Sequence, residues 1–272
     1  MRFTKMHGLG NDYAYVNCFE ETIREPGRAA RAVSDRHYGV GADGLILIQP
    51  SEKADCRMEM YNADGSRGAM CGNGIRCVAK YMYEAGLLSG PNLSVETDSG
   101  IRRLRCRAAG GRVRLVDVEM GLPVVDSREN LETSGGKFTF TPVSMGNPHA
   151  VLFYEAVEGL PVEQIGPLIE NHERFPDRTN VEFAQIVDIQ TMRLRVWERG
   201  SGETLACGTG ACAACAAAMS MGLMKRRAAV YLEGGRLEVT WPRPDAPMIL
   251  TGPAVTVFHG EIALEDLTLY KE

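Results

Sequence analysis

The feature that most constrains this sequence is a cysteine followed by two spaced glycines, which occurs twice, each time directly before a helical pattern. The copies are Cys71-Gly72-Asn73-Gly74 and Cys207-Gly208-Thr209-Gly210. At a helix N-terminus several backbone N–H groups lack a helical partner and the helix dipole adds positive charge, so anions are stabilised there. A substrate carboxylate could dock on these groups. The pKa of the adjacent cysteine is expected to fall from about 8.5 toward neutrality, which would give a usable thiolate.

Cys71 and Cys207 lie 136 positions apart, which is half of the 272-residue chain, and other features recur at the same spacing. The corresponding pairs are 56–61 with 192–197, Asn62 with Glu198, Gly10-Asn11 with Gly146-Asn147, Gly44 with Asn180, and 27–39 with 163–175. Matches at one ungapped offset indicate a duplicated unit and therefore two domains. The pattern restarts near residues 121–123, which predicts the domain boundary there.

Short alternating strands flank one buried helix in each half, with further helices expected around 27–37 and 162–172. This pattern predicts an α+β fold of two pseudo-symmetric domains, each a strongly curved sheet around its helix. Residues 205–224 carry no charge over the length of a membrane span. Because Ala, Gly, Cys, Ser and Thr dominate that run, a helix enclosed by strands is the favoured interpretation.

Composition narrows the function. The chain has 30 basic and 35 acidic residues and no basic block, so nucleic acid is not an expected partner. The amino terminus has glycine and charge where a signal peptide needs an apolar core, so export is not expected. Eight cysteines are too few for a disulfide scaffold and fit a reducing compartment. The expected location is the cytoplasm, without membrane attachment.

Two thiols at helix N-termini in similar halves suggest a cleft in which they face each other across a small substrate. That arrangement suits a racemase or epimerase, in which a base removes a proton from one face of a carbon and an acid delivers another to the opposite face. Carboxylate binding at both helices would stabilise the developing negative charge, so neither a metal nor another cofactor is expected. A single motif of this kind is more often structural, and only its repetition in register makes the interpretation catalytic.

For the other candidate site residues, a functional role is likewise compared with an ordinary structural one. Cys212 and Cys215 form a C-x-x-C pair, but a structural zinc site needs two further ligands and none stands nearby, so no metal site is predicted. The asparagines at the repeat offset are candidate substrate ligands, although each alone is more often a turn residue. Glu198 and Arg199 supply one charge of each sign for a substrate with amine and carboxylate groups.

The segments FTKMHGLGNDY, VGADGLILI, NADGSRGAMCGNGIRC, MGNPHAV, RTNVEF and ERGSGETLACGTGACAA occur in this order over essentially the whole chain. Together they closely resemble the diaminopimelate epimerase family. The resemblance implies a cofactor-independent two-base conversion of LL- to meso-diaminopimelate in lysine and cell-wall precursor synthesis. It implies two pseudo-symmetric domains, residues 1–119 with 253–272 returning to them and residues 120–252, and commonly a homodimer.

The resemblance also implies roles for individual residues. In the LL-to-meso direction Cys207 would be the proton acceptor and Cys71 the donor, while His149 and Glu198 would tune the two thiols. The implied substrate-binding residues are Asn11, Asn62, Gly72, Asn73, Asn147, Asn180, Glu198, Arg199, Gly208 and Thr209.

Two positions depart from the family pattern. Gly44 stands where some members have a glutamine that touches substrate, and Phe258 stands where some have a tyrosine associated with the dimer contact. Two alternatives remain open at this stage. One is a racemase for another amino acid, such as proline or histidine. The other is a non-catalytic amino-acid-binding protein that uses the same helix N-termini.

Overall fold

The structure is a computed structural model that describes residues 1–265. The chain divides into two compact units, one formed by Met1–Val118 with the segment that starts at Gly252, the other by Glu119–Thr251. Residues 266–272, the end of the segment expected to return to the first domain, lie outside the described residues.

In the part of the chain that the structure describes up to residue 263, each unit contains a sheet and two helices. The elements up to the first boundary are β1 (Arg2–Gly8), β2 (Asn11–Asn17), α1 (Pro26–Ser34), β3 (Gly44–Gln49), β4 (Cys56–Asn62), β5 (Arg67–Gly68), α2 (Gly72–Glu84), β6 (Asn92–Thr97), β7 (Gly100–Ala109) and β8 (Arg112–Gly121). The elements that follow are β9 (Val124–Val125), β10 (Glu129–Thr133), β11 (Gly136–Ser144), β12 (Pro148–Phe153), α3 (Val162–Glu170), β13 (Asn180–Asp188), β14 (Thr191–Glu198), β15 (Gly202–Thr204), α4 (Gly208–Ser220), β16 (Arg227–Leu232), β17 (Gly235–Thr240), β18 (Met248–Gly252) and β19 (Val255–Glu261).

The strand order of the first unit is repeated in the second. In the first, β19, β1 and β2 are antiparallel, β2 is parallel to β3, β3 is antiparallel to β4, and β4 is parallel to β6, which continues into β7 and β8. In the second, β9, β11 and β12 are antiparallel, and β12 is parallel to β13. Strand β13 is antiparallel to β14, and β14 is parallel to β16, which continues into the antiparallel strands β17 and β18. The predicted fold class is confirmed.

The helices that follow the two cysteine motifs form the centre of each unit. Helix α4 consists almost wholly of buried small residues and contacts β11, β12, β13 and β17, as expected for a helix enclosed by strands. Helix α2 contacts β1, β2 and β7 and contains the buried Arg76 and Lys80. Within residues 1–265, no helix is both long enough and apolar enough to cross a membrane.

The other two helices pack on the sheets through one apolar face. Ala29, Ala30 and Val33 of α1 join the core cluster that includes Leu45 and Leu47 of β3. In the second unit α3 joins a cluster formed largely by β11, β12 and β13, including two buried phenylalanines, Phe140 and Phe183. Both helices lie where the sequence predicted them, although each ends two or three residues earlier than expected.

Position 44 has no room for a side chain. A Cβ atom built on Gly44 would lie 2.1 Å from the carbonyl oxygen of Tyr61 and 2.8 Å from Cε1 of Tyr13. Because the first of these atoms is backbone in the paired strand β4, even alanine requires the strands to move apart. A longer side chain at position 44, such as the glutamine of the pattern that the sequence resembles, therefore does not fit this strand packing.

Candidate active site

The first half-site is built on the N-terminus of α2. Cys71 is the N-cap residue, with extended backbone (φ −124°, ψ 121°), and its Sγ atom accepts the backbone N–H of Gly74 at 3.4 Å. A cysteine thus takes the place that Ser, Thr, Asp or Asn usually occupies at a helix start, and its sulfur pairs with one of the unpartnered donors. The same thiol donates a hydrogen bond to Oδ1 of Asn11 at 3.1 Å.

Asn11 begins β2, directly after a glycine turn, and its amide is held on both sides. While Oδ1 accepts from Cys71, Nδ2 donates to Oδ2 of Asp43 at 2.9 Å. The predicted ligand Asn11 is therefore beside the first thiol, and Asp43, which sequence reasoning missed, lies behind it.

The remaining predicted residues of the first half-site have mixed surroundings. Asn73 is buried in the first turn of α2, where its Oδ1 accepts from the wholly buried Arg76 at 2.8 Å. Arg76 also donates to the carbonyl of Gly72 at 2.8 Å, so its buried side chain stabilises the first turn of α2. Asn62 lies at the end of β4, where Nδ2 donates to Ser66 Oγ at 3.0 Å within a turn.

The second half-site repeats this plan on α4. Cys207 is the N-cap residue, with φ −118° and ψ 116°, and its Sγ accepts the N–H of Gly210 at 3.4 Å. Thr209 Oγ1 lies 3.5 Å from the same sulfur, and the carboxyl group of Glu198 is close enough to act on the thiol electrostatically. Glu198 ends β14, and its Oε1 accepts from Thr204 Oγ1 at 2.5 Å.

The structure contradicts the expected lowering of the pKa at Cys207. Burial raises the pKa of this thiol well above its ordinary value, and the nearby carboxyl groups of Glu198 and Glu182 raise it further. Hydrogen bonds from Thr209 and Gly210 act in the opposite direction but are outweighed. The prediction was wrong because it counted the helix N-terminus and not the burial, which penalises a thiolate.

Close packing explains the second glycine of the motif. A Cβ atom built on Gly210 would lie 2.9 Å from Oε1 of Glu182 and 3.3 Å from Sγ of Cys207. Glycine therefore allows the first turn of α4 to approach the carboxylate-bearing strand β13. At the corresponding Gly74, a Cβ would lie 2.8 Å from Cδ1 of Ile46 in β3.

A second amide of the predicted site, Asn147, is held by a buried pair. His149 Nε2 lies 3.1 Å from Oδ1 of Asn147, and His149 Nδ1 lies 2.6 Å from Oε1 of Glu182. Since the amide oxygen can only accept, Nε2 of His149 is the donor to Asn147. Both side chains of the His149–Glu182 pair are fully buried.

Glu182 is the functional residue most clearly missed from the sequence. Burial raises the pKa of its carboxyl, and its Oε2 atom is buried without a hydrogen-bond partner among the described residues. An acidic residue inside the otherwise apolar start of β13 was the available signal, because buried carboxyl groups are rare unless they are paired.

Asn180 and Arg199 lie together, but their described contacts are with backbone. Asn180 Nδ2 donates to the carbonyl of Pro148 at 2.9 Å, and its Oδ1 accepts the N–H of Arg199 at 3.0 Å. The exposed Arg199 side chain donates to the carbonyl of Asp177 at 3.1 Å. These contacts fix the start of β13 and leave one Nδ2 proton of Asn180 for a ligand.

Cys212 and Cys215 lie buried within α4. Burial raises the pKa of the Cys215 thiol well above its ordinary value. Over residues 1–265, no three His, Cys, Asp or Glu side chains are grouped so as to hold a metal ion.

The duplicated fold, with one cysteine capping the buried helix of each unit, resembles the fold of several solved structures. The solved structure of a probable proline racemase from Agrobacterium radiobacter K84 matches with a TM-score of 0.73 and 17% identity, covering 97% of this chain and 93% of that one. A PhzF-family phenazine biosynthesis protein from Bacillus anthracis matches with a TM-score of 0.74 and 18% identity, covering 97% and 99%. At these identities the likeness shows the fold alone.

Sequence comparison identifies the family. A sequence profile described as diaminopimelate epimerase matches residues 3–125 and 141–257. The chain is 50% identical to the diaminopimelate epimerase of Acetivibrio thermocellus, with 98% of this chain and 100% of that protein covered. It is 48% identical to that of Methanococcus maripaludis strain C5, with 96% and 99% covered. The chain belongs to the diaminopimelate epimerase family and is an isomerase, so the predicted family and enzyme class are confirmed.

The burial of Glu182 predicts how stability responds to pH. Because its folded-state pKa is raised above the ordinary value of 4.5, its contribution to stability is full below that value and is lost as pH rises through the folded pKa. Glu182→Gln is a neutral isostere of the protonated acid. The free energy of unfolding of the variant, measured with urea, is therefore expected to rise relative to wild type as the pH increases from 5 to 8. A difference that is constant with pH would contradict this account.

Proposed function

We propose that this chain interconverts LL- and meso-diaminopimelate by two-base catalysis, with Cys207 as proton acceptor and Cys71 as proton donor in the LL-to-meso direction. Family membership supports the reaction. The observation that carries the residue assignment is that the two cysteines occupy the same N-cap position in the two repeats, each accepting the N–H of the third helical residue. The non-catalytic alternative gives no reason for a thiol at both positions.

The proposed step balances as a double proton transfer. The Cys207 thiolate takes the proton from the α-carbon and becomes a thiol, while the Cys71 thiol gives its proton to the opposite face and becomes a thiolate. Because Cys207 rests as a thiol, its proton must first leave, and the nearby carboxyl group of Glu198, which acts on the thiol electrostatically, supports the assignment of Glu198 as the receiving group. After turnover Cys207 is again a thiol, Cys71 is a thiolate and Glu198 holds the extra proton, so the resting state returns when Cys71 gains a proton and Glu198 loses one.

Substrate binding is proposed to use both helix N-termini. The backbone N–H groups of Gly72-Asn73 and Gly208-Thr209 lie in the first turns of α2 and α4, where the helix dipole favours a carboxylate. No cofactor is needed if these donors stabilise the carbanionic transition state. Further contacts are proposed for the asparagine side chains Asn11, Asn62, Asn73, Asn147 and Asn180, and for Glu198.

Replacing either cysteine tests the mechanism. With LL-diaminopimelate in heavy water the wild-type protein is expected to form α-deuterated meso product, whereas Cys71→Ala and Cys207→Ala are expected to abolish net epimerisation. The double variant is expected to lose little more than either single variant, since residues that act as a unit are not additive. Cys18→Ala, which removes a thiol away from the helix starts, is the matched control. Substantial epimerisation by either single variant would refute the assignment.

Arg199 is proposed to bind the distal carboxylate of the substrate, because its guanidinium is exposed next to Glu198 at the end of β14. Arg199→Ala is expected to reduce kcat/KM for diaminopimelate by about thirtyfold, corresponding to roughly 2 kcal/mol for a lost charge-assisted contact. Arg193→Ala, an exposed arginine on the same strand, is the control. An unaltered kcat/KM, or turnover of proline or histidine, would instead favour the alternative racemases.

We also infer that the chain acts in the cytoplasm as a homodimer and that its two domains are residues 1–119 with 253–272 and residues 120–252. The dimer contact is assigned to β19, an outer strand paired with β1, whose side chains are largely exposed. Phe258 is 44% exposed while its ring lies 5.8 Å from that of Phe3, so it presents apolar surface from a fixed position. Exposed apolar edge strands commonly pair with another chain.

Phe258→Arg is expected to convert the dimer to monomer, because it places a charge in an apolar contact. Light scattering after size exclusion measures the mass directly. The exposed Tyr231→Arg on β16 is the control and is expected to leave the dimer intact. A wild-type protein that is monomeric at all concentrations tested would contradict the proposal.

A further inference from the structure

We propose that Asp43 is a positioning residue for the reaction: it holds the Asn11 amide so that its carbonyl oxygen, rather than its amino group, faces the Cys71 thiol. The proposal rests on the proposed function, because it refines the role of Cys71 as the proton donor. Asp43 itself makes no described contact with Cys71 and acts through Asn11.

The geometry of the amide leaves one orientation. Nδ2 of Asn11 donates to Oδ2 of Asp43 at 2.9 Å, and the opposite end of the same amide, Oδ1, accepts the Cys71 thiol at 3.1 Å. Rotating the amide by half a turn would place two oxygens against each other at Asp43. That arrangement loses a hydrogen bond and sets two acceptors in contact, so Asp43 selects the observed orientation.

Asp43 is itself fixed from several directions. Its Oδ2 also accepts the backbone N–H of Asp12 at 3.1 Å, and its own N–H donates to Oδ1 of Asp12 at 3.2 Å. Asp12 in turn pairs with the buried Lys5, whose Nζ lies 2.6 Å from Oδ2 of Asp12 and also donates to the carbonyl of Gly41. Arg36 Nη2 lies 3.8 Å from Oδ1 of Asp43 at the exposed side. Asp43, the residue directly before β3, is therefore fixed by its hydrogen bonds to Asp12 of β2.

The orientation decides which protonation state of Cys71 is stabilised. An amide oxygen accepts the S–H of a thiol but repels a thiolate, whereas an amide N–H would donate to a thiolate. The Asn11 carbonyl thus opposes the Gly74 N–H, which favours the thiolate from the helix side. By fixing the amide, Asp43 keeps a proton on Cys71, which is the state that the proton donor requires before turnover.

In the described residues, the second unit has no counterpart of the Asp43–Asn11–Cys71 arrangement. At the repeat offset Asn11 corresponds to Asn147 and Asp43 corresponds to Thr179, whose hydroxyl donates to the Asn180 carbonyl at 3.0 Å. Asn147 Oδ1 lies 3.1 Å from His149 Nε2, and the hydrogen-bond partners described for Cys207 are Thr209 and Gly210. The carbonyl-to-thiol bond therefore belongs to the unit that carries the proposed donor.

Other ionisable groups of the first unit also lie near Cys71, and Tyr13 interacts with both Asn11 and Cys71. Tyr13 and Tyr15 of β2 are buried, and burial raises the pKa of each hydroxyl above its ordinary value, so both are neutral. Cys77 of α2 is buried and its pKa is raised to about 11, mainly by burial. Arg76 is the cation of this helix turn, and it donates to Gly72, Asn73 and Pro253.

Alkylation of Cys71 measures its protonation directly. Trypsin cleaves after Arg67 and Arg76, which releases residues 68–76 with Cys71 as their single cysteine. Brief iodoacetamide pulses across a pH series, followed by mass spectrometry of that peptide, give the apparent pKa of the thiol in the folded full-length protein. Asp43→Ala frees the amide to turn and is expected to lower this pKa by about one unit, roughly a tenfold rise in thiolate at fixed pH.

Two variants separate orientation from charge. Asp43→Asn removes the charge but keeps an oxygen that accepts from Asn11, so its shift is expected to be less than half of that in Asp43→Ala. Arg36→Gln removes only the outer partner of Asp43 and is expected to leave the profile unchanged. Equal shifts in the Asn and Ala variants would show an effect of charge alone and overturn the proposal, as would an unchanged or raised pKa in Asp43→Ala.

If Asp43→Ala does not fold, the wild-type protein still tests the orientation. The Nδ2 protons of Asn11 and the amide proton of Asp12 share Oδ2 of Asp43, so an NMR cross-peak between them is expected. A cross-peak from the Nδ2 protons to the β-protons of Cys71 in its place would overturn the proposal. Neither the alkylation profile nor the NMR measurement needs turnover. A wild-type protein without epimerase activity would contradict the proposed function alone. An active wild-type protein together with an unchanged Cys71 titration in Asp43→Ala would contradict only this inference.

Discussion

The interaction on which each half-site depends is the backbone N–H of the third helical residue donated to a cysteine sulfur, at 3.4 Å in both units. It requires a helix start that is enclosed by strands and yet free of side-chain bulk on the sheet side. Gly74 and Gly210 meet that requirement, because a methyl group at either position would press on β3 or β13. The small residues of α4 extend the same condition along the whole helix. The thiol caps, the close approach of each helix to its strand and the enclosure of the helix therefore depend on one another.

A second layer of polar groups holds the amides beside those helices. In the first unit Asp43 holds Asn11, and in the second the Glu182–His149 pair holds Asn147. The repeat keeps an asparagine at both Asn11 and Asn147 but differs in the residues near them. Tyr13 of the first unit, for example, corresponds to His149 of the second. Duplication thus conserved the backbone plan, while substitutions behind the amides made the two half-sites chemically different. A reaction that needs an acid and a base at once benefits from such a difference.

Much of this arrangement was readable from the sequence, because it depends on local pattern. The glycine-flanked cysteines, the apolar periodicity and the ungapped offset gave the duplicated α+β fold and the two helix starts. Asp43 and Glu182 were not found, since their roles arise from contacts with Asn11 and His149, 32 and 33 residues away respectively. The close contact of Gly44 with Tyr61 also depends on strand pairing. The order of residues in the sequence does not show which residues become neighbours in the folded chain.

The protonation of Cys207 shows why local rules failed there. A helix N-terminus stabilises an adjacent anion by about 0.3–1 kcal/mol, less than one pKa unit. Cys207 is only 6% exposed, and the described groups nearest its thiol include two carboxyls rather than a cation, so burial prevails and the resting sulfur holds its proton. Transfer of that proton to Glu198 moves a negative charge between neighbouring buried atoms and adds none. Burial raises the pKa of the Glu198 carboxyl as well, which makes it a better proton acceptor than an exposed carboxylate. A thiolate formed by this exchange costs less than one formed by loss of a proton to solvent, which would leave the site with one more buried negative charge.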